Sequence, residues 1–282
     1  MANTQAAVWM IGAIISFTSM AIAGRAVSGL LDTFEIMLYR SIIGFFVVLI
    51  LARFLGTYRE ISLKDIKLHV FRNIFHFVGQ NLWFFALPLI PLAQLFALEF
   101  TSPLWVIIIA SLVLGEKLTG KKIFLAVVGF LGVLIIARPD FSAINVGVLS
   151  GATSAIGFAA TAILTRKLTL QNSLTNILFY LTSLQIIFAL ICAGIDGEIT
   201  SLSTSTLPWL ALIGLTGLSA HFCLTKSLSL ASASIVMPID FARLPLIAVI
   251  GTIYYEEVVD IYIVLGSTLI FVSNYMNIKQ KA

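Results

Sequence analysis

The chain has 282 residues, of which 60% are hydrophobic and only 11% are charged, and its formal net charge is +4. A soluble globular domain has about 45–50% apolar and about 25% charged residues, so this composition excludes an ordinary soluble protein and indicates an integral membrane protein. The basic residues lie in short connections between apolar segments, so they do not indicate nucleic-acid binding. The two cysteines, Cys192 and Cys223, lie in different apolar segments and predict no disulfide framework.

Apolar segments long enough to cross the membrane follow one another along the whole chain, since about 20 apolar residues span the hydrocarbon core as a helix. The ten predicted spans, numbered 1 to 10, are residues 7–27, 33–54, 71–90, 93–114, 121–138, 144–165, 174–195, 206–226, 233–255 and 259–277. The first does not have the flanks of a removable signal peptide, so we expect it in the mature protein. Continuous apolar runs predict an all-α polytopic membrane protein with ten transmembrane helices, not a barrel of alternating strands.

The basic residues predict the orientation of these spans. Thirteen of the 17 Lys and Arg residues fall on the side that holds both termini and the connections after spans 2, 4, 6 and 8. The opposite side has only Arg25 and Arg138, and two further arginines lie inside spans. Because Lys and Arg concentrate on the cytoplasmic side of a membrane, we predict a multi-pass protein of the plasma (inner) membrane with both termini in the cytoplasm.

The two halves of the chain carry a weak internal repeat. A shift of 141 positions, half the length of the chain, places Glu99 on Asp240 in the fourth and ninth spans. The chain is therefore predicted to consist of two five-helix units, residues 1–141 and 142–282. Because five is odd, the second unit must cross the membrane in the opposite orientation, and inverted repeats of this kind build alternating-access transporters with a site near the midplane.

Charged residues inside the spans are candidates for function, because a charge at the bilayer centre costs at least about 2.5–3.5 kcal/mol and usually has a partner in the bundle interior. Asp240 and Arg243 lie three residues apart on one helical face and are expected to pair, either structurally or to bind substrate. Glu99 has no basic residue three or four positions away, so it is either partnered from another helix or protonated. It is our candidate for proton coupling or cation binding. Arg40 is expected to pair with Glu35 or with Glu99.

Span 3 carries a polar stripe that includes His76 and Gln80, one helical turn apart. Such a stripe is costly against lipid, so it is expected to line an internal cavity, and aromatic rings nearby are expected to wall it against a cationic ligand. The predicted substrate site consists of His76, Gln80, Asn81, Trp83, Trp105, His221, Asp240 and Arg243. Two histidines without further ligand spacing do not indicate a metal or haem, so no metal and no cofactor are predicted.

Two stretches resemble the EamA family of the drug/metabolite transporter superfamily. They read GQNLWFFALPLIPLAQLFALEFTSPLWVIIIASLVLGEKL and ASIVMPIDFARLPLIAVIGTIYYEE. The resemblance covers essentially the whole chain and implies ten helices, cytoplasmic termini, a cavity between the halves and transport of small metabolites, amino acids or drugs. The second stretch lacks the family's Leu-Gly-Glu ending, which is present at 114–116. Some members that resemble the Asp-Phe-x-Arg-Leu-Pro form at 240–245 take up S-adenosylmethionine.

We therefore predict a secondary transporter of a small polar, amino-acid-like metabolite, with uptake of S-adenosylmethionine as an alternative. No nucleotide motif is present, so an ion gradient, exchange or simple downhill flow is expected to drive it, with protons or a counter-substrate as candidate partners. Membrane lipids surround it. The sequence contains no HExxH, GxSxG or comparable catalytic pattern, so an enzyme is not expected. A lipid flippase or a membrane receptor is the alternative from another class. The sequence makes no prediction about the oligomeric state.

Overall fold

The computed structural model describes residues 2–90, 92–115, 119–137, 145–193, 195, 199–246 and 261–279. Their α-helices are α1 (Ala2–Val27), α2 (Thr33–Phe54), α3 (Ile66–Ala86), α4 (Leu92–Glu99), α5 (Ser102–Val113), α6 (Gly120–Ala137), α7 (Val146–Leu168), α8 (Leu174–Ala193), α9 (Leu207–Leu230), α10 (Ala233–Val236) and α11 (Ile261–Ile278). Short 3-10 helices lie at Thr57–Glu60 and Met237–Ala242. No β-strand lies in this part of the chain, which confirms the predicted all-α class.

The helices coincide with the predicted spans but differ from them at their ends. α1 begins at Ala2 and α3 at Ile66, each five residues before the predicted start. Helices continue past the hydrocarbon core into polar surroundings, so apolar runs alone misplace their ends. Six helical stretches among the described residues are long and apolar enough to cross a membrane, taking α4 and α5 together. The second part of span 9 (247–260) and the predicted boundary between the repeats (138–144) lie outside the described residues.

The fourth span is interrupted directly after its acidic residue. α4 ends at Glu99, and α5 begins at Ser102 with Pro103 in its first turn. Proline has no backbone N–H and therefore does not donate to the carbonyl four residues earlier, which here belongs to Glu99. The ninth span is similarly irregular, because the 3-10 helix Met237–Ala242 follows the single turn of α10 and carries a proline at its start. Both interruptions place irregular backbone in the protein interior, where such backbone is tolerated.

Helices of the first half pack against helices of the second half. The most extensive pairings are α1 with α9, α3 with α7, α6 with α11, and α2 with α8. In span numbers these are 1 with 8, 3 with 6, 5 with 10, and 2 with 7. If the two halves are exchanged, span 1 takes the place of span 6 and span 8 takes the place of span 3. The pair 1 with 8 then becomes the pair 6 with 3, and the pairs 5 with 10 and 2 with 7 are unchanged, so the set of pairings is symmetric. An inverted repeat requires this symmetry, and the two halves consequently share one interior.

Small residues bring paired helices into backbone contact. A Cβ atom on Gly157 of α7 would lie 2.9 Å from the Cα of Gly79 and 3.0 Å from the carbonyl oxygen of Phe75, both in α3. A Cβ on Gly132 of α6 would likewise lie 2.6 Å from the carbonyl oxygen of Gly266 in α11. Lipid provides no hydrophobic drive for association, so membrane helices depend on close contacts of this kind.

Candidate substrate-binding site

The two interrupted spans bring three charged side chains together in the interior. Glu99 closes α4, Asp240 lies in the 3-10 helix Met237–Ala242, and Arg243 directly follows that helix. All three side chains are buried. We call Glu99, Asp240 and Arg243 the charged trio.

Arg243 contacts both carboxylates of the trio. Its Nη2 donates to Oε1 of Glu99 at 2.9 Å, and its Nε donates to Oδ1 of Asp240 at 3.2 Å. Nη2 also contacts Oδ2 of Asp240. The indole Nε1 of Trp83 donates to the second oxygen of Glu99, Oε2, at 2.8 Å. The expected contact between Asp240 and Arg243 is therefore present, and Glu99, which has no basic neighbour on its own helix, is partnered by a residue of the other half.

Aromatic rings surround the guanidinium group of Arg243. Its Cζ lies 5.2 Å from the ring centroid of Phe17, 5.4 Å from that of Phe96 and 5.2 Å from that of Phe100. Each distance is within the range of a cation–π interaction. None of these phenylalanines was predicted, because phenylalanine is also common on lipid-facing surfaces. The only available signal was the position of Phe100 directly after Glu99.

A cavity of about 60 Å³ borders the charged trio. We call it the substrate cavity. It contacts most of the predicted site residues: His76, Gln80, Trp83, Glu99, His221, Asp240 and Arg243. Its remaining walls include Ser102, Pro103 and Thr161, which sequence reasoning missed because each is an ordinary residue of an apolar helix. A volume of this size holds only a few water molecules.

Two histidines face each other in the substrate cavity. The ring centroids of His76 and His221 are 4.5 Å apart and the rings are nearly perpendicular, at 87°. None of their four ring nitrogens has a hydrogen-bond partner in the described part of the chain. Buried polar atoms normally have partners, so these nitrogens are available to a bound ligand.

Trp105 and Asn81, which were also predicted to line the site, do not border this cavity. Trp105 is 41% exposed, because it lies on an outward-facing side of α5. Asn81 donates Nδ2 to the carbonyl of Phe77 in its own helix at 2.8 Å and does not border the substrate cavity. It follows Gln80 directly and therefore points to a different side of α3.

The predicted pairing of Arg40 with Glu35 or Glu99 is also wrong. Glu35 instead forms a capping box with Asp32 at the start of α2, where each side chain accepts from the other's backbone N–H, at 2.8 Å and 3.0 Å. It also accepts a hydrogen bond from the backbone N–H of Thr200. Glu99 is held by the trio, and Arg40 contacts methionine sulfur atoms. The unpaired N–H groups of the helix start compete successfully for Glu35.

Comparison with known proteins identifies the family. A profile of the EamA-like transporter family matches residues 4–138 and again residues 145–278. The chain belongs to the EamA-like transporter family. The two matches together cover nearly all of it, and the predicted family is confirmed.

Characterised relatives of this EamA-like transporter carry different cargoes. The S-adenosylmethionine uptake transporter of Rickettsia prowazekii is 25% identical over 266 residues, covering 93% of this chain and 88% of its own. The riboflavin transporter of Vibrio cholerae is 30% identical over 276 residues, covering 95% and 91%. The pseudopaline exporter CntI of Pseudomonas aeruginosa is 27% identical over 264 residues, covering 93% and 91%.

A solved crystal structure shares the fold. It is 15% identical in sequence, covers 96% of this chain and 95% of its own, and superposes with a TM-score of 0.78. With the family and its relatives, this fold makes the chain a multi-pass protein of the inner membrane that transports small molecules and is not an enzyme. The predicted transporter class is confirmed.

Proposed function

We propose that this EamA-like transporter binds a small, amino-acid-like metabolite with a net positive charge beside the charged trio. The observation that carries this proposal is the sharing of one guanidinium group by two buried carboxylates. With both acids ionised, the trio has an excess of one negative charge, and aromatic rings surround it. Both features favour a cationic ligand.

S-adenosylmethionine is the candidate to test first. It is the cargo named for the relative from Rickettsia prowazekii, and it combines an amino-acid group with a positively charged sulfonium. Its ammonium and sulfonium groups compete with Arg243 for the two carboxylates, and its carboxylate binds the guanidinium that this exchange releases. The unpartnered ring nitrogens of His76 and His221 supply hydrogen-bonding groups for the rest of the molecule.

The size and position of the substrate cavity support transport by alternating access. Sites for ligands of this size occupy about 300–1,000 Å³, whereas this cavity measures about 60 Å³. The structure therefore corresponds to a closed state that must widen before substrate enters. Because the walls of the cavity come from both halves of the chain, we propose that it widens when the halves rock against each other.

We also propose that both termini are cytoplasmic. The distribution of Lys and Arg supports this orientation.

The proposal is tested by thermal unfolding of the purified protein with S-adenosylmethionine, S-adenosylhomocysteine, riboflavin, amino acids and lipids. We expect S-adenosylmethionine to raise the unfolding temperature more than S-adenosylhomocysteine, which lacks the sulfonium charge. Asp240→Asn should lose this effect. Asp65→Asn, at an exposed position whose φ of 56° suits asparagine, should keep it.

Stabilisation by another polar metabolite that disappears in Asp240→Asn would keep the site and change the cargo. Stabilisation by lipids alone, equal in wild type and Asp240→Asn, would contradict the proposal and favour a lipid flippase or a membrane receptor.

A further inference from the structure

The interior holds a second arginine for which no carboxylate is provided. Arg40 lies in the middle of α2 and is only 6% exposed. Its guanidinium group makes weak hydrogen bonds, from Nη1 to the sulfur atoms of Met20 at 3.8 Å and Met37 at 3.7 Å. Within the described residues it forms no ion pair. A buried charge normally has a partner of opposite sign, so this guanidinium group lacks one.

The two acids that were expected to pair with Arg40 both have other hydrogen-bond partners. Glu35, five residues earlier, caps the start of α2 and accepts from Thr200. Glu99 is held by Arg243 and Trp83. Both carboxylates are therefore engaged by other groups.

A second buried arginine adds positive charge to the same region. Arg72 of α3 is 2% exposed, and its Nε donates to Oγ1 of Thr165 at 3.1 Å while its Nη1 donates to Oδ1 of Asn73 at 2.9 Å. These acceptors are neutral. Gln185 of α8 donates to the same Asn73 oxygen at 3.2 Å, so a hydrogen-bond chain joins Arg72 to Gln185.

Arg40 and Gln185 both border a small internal cavity between α2, α8 and α9. We call it the Arg40 cavity, and its other walls include Ser41, Gly44, Thr182 and Gly214. Its volume is about 10 Å³, enough for about one particle the size of a water molecule. Two of its walls are glycines, so the space exists because side chains are absent there.

We propose that the Arg40 cavity is a binding site for one small inorganic anion, specifically chloride. The guanidinium group supplies the charge, and the hydroxyl group of Ser41 is available as a further donor. An anion here compensates a buried positive charge that the described protein leaves uncompensated. A carboxylate or phosphate group attached to a larger molecule needs far more than this space, whereas a chloride ion is a single atom somewhat wider than a water molecule and enters with a small outward shift of the cavity walls.

This site is separate from the proposed substrate site. None of the residues that line the Arg40 cavity lines the substrate cavity, although Met20 contacts Arg40 and borders the substrate cavity. The chloride site therefore stabilises the interface of α2 with α8 and α9 whatever the cargo is.

Thermal unfolding of the purified full-length protein tests the proposal directly. Sodium chloride is titrated against sodium gluconate at constant ionic strength, so that only the anion changes. We expect a saturable rise of the unfolding temperature with chloride, and with bromide, but not with gluconate. Arg40→Gln should abolish the rise, and Arg40→Lys should need an about tenfold higher chloride concentration because a lysine keeps the charge but loses the fork of donors.

Two further variants separate the cavity from general effects of charge. Gly44→Ala keeps Arg40 but places a Cβ 3.0 Å from Cγ2 of Thr182, inside the cavity wall, and should also remove the chloride effect. Arg59→Gln removes a positive charge from the exposed helix Thr57–Glu60 and should leave the chloride effect unchanged.

An equal response to chloride in wild type and Arg40→Gln, or equal responses to chloride and gluconate, would overturn the proposal. If Arg40→Gln does not fold, crystals of the wild-type protein soaked in bromide give the answer. An anomalous peak beside Arg40 would support the site, and its absence at full bromide exchange would show that the cavity holds only water.

Discussion

At the scale of single residues, the centre of this transporter is one guanidinium group between two carboxylates. Arg243 holds Asp240 from its own span and Glu99 from the opposite half. The two oxygens of Glu99 have different partners, Arg243 and Trp83. In the proposed mechanism, a substrate that draws Arg243 away leaves Glu99 with only the indole N–H as its partner, and the carboxylate then accepts a proton or a cation.

The indole hydrogen bond is tested by Trp83→Phe, which keeps an aromatic ring and removes the donor. A hydrogen bond to a charged group contributes about 1.5–3 kcal/mol, so we expect a loss of this order in the free energy of unfolding. Trp105→Phe, at an exposed position, is the matched control and should change it little. Equal effects of the two substitutions would show that the hydrogen bond contributes nothing specific.

The proposed coupling role of Glu99 is tested by Glu99→Gln. The amide keeps the size of the side chain but does not take up or release a proton, so we expect transport in proteoliposomes to lose its dependence on a pH gradient. Glu60→Gln, in the exposed helix Thr57–Glu60, should behave like wild type. A Glu99→Gln protein with unchanged rate and unchanged pH dependence would refute proton coupling through this residue.

At the scale of helices, the interruptions in the fourth and ninth spans place the acids, and close contacts hold the remaining helices. Pro103 prevents a hydrogen bond to the Glu99 carbonyl, so α4 ends where the charged trio begins. By contrast, α3 runs unbroken beside α7, and the two backbones touch at Gly79 and Gly157. The polar stripe of α3 is therefore held rigidly against the site.

The contact between α3 and α7 is tested by Gly157→Ala. The new Cβ would lie 2.9 Å from Gly79 Cα and 3.0 Å from the Phe75 carbonyl oxygen, and these backbone atoms do not move aside easily. Overpacking of this kind typically costs about 1–3 kcal/mol, so the unfolding temperature should fall. Gly120→Ala, where a Cβ meets nothing within 4 Å, is the control. Similar unfolding temperatures for both variants would mean that the helices separate without cost.

At the scale of the whole molecule, contacts between the two halves define what must move. Helices α1 and α9 form the most extensive of these contacts. Two hydrogen bonds also join α2 to Thr200, in the connection that precedes α9. The hydroxyl group of Tyr39 donates to the carbonyl of Thr200, and the carboxylate of Glu35 accepts from its backbone N–H. These bonds lie on the side that we propose to be opposite to the cytoplasm, where they hold the two halves together.

Movement between the halves is tested by a disulfide between α1 and α9. A Cβ on Gly12 would lie 3.7 Å from the Cβ of Cys223, within the 3.5–4.5 Å that a disulfide requires. We expect oxidised Gly12→Cys protein to lose both thiols to maleimide labelling and to stop transport, with recovery on reduction. The double variant Gly12→Cys, Cys223→Ser should keep its transport under oxidant. Full transport by the cross-linked protein would show that this contact does not open.

Much of the fold was predictable from the sequence because the bilayer imposes strict rules on it. A spanning segment must be apolar and long, so hydropathy located the helices. The orientation indicated by Lys and Arg stays a prediction. The cost of a charge in lipid singled out Glu99, Asp240 and Arg243 without any structure. The shift of 141 positions indicated the repeat, and the pairing of helices across the halves has the symmetry that such a repeat requires.

The partners of these residues were decided only by tertiary structure. Glu99 and Arg243 are 144 positions apart, and no local spacing predicts their contact. Apart from the polar stripe of span 3, the spans are apolar on every side, so the sequence does not show which face is turned inward. Phe17 was therefore missed, and Trp105 was included although it does not border the substrate cavity. The same limit applies to Arg40, whose charge was evident in the sequence, whereas its lack of a carboxylate appeared only when the helices were packed around it.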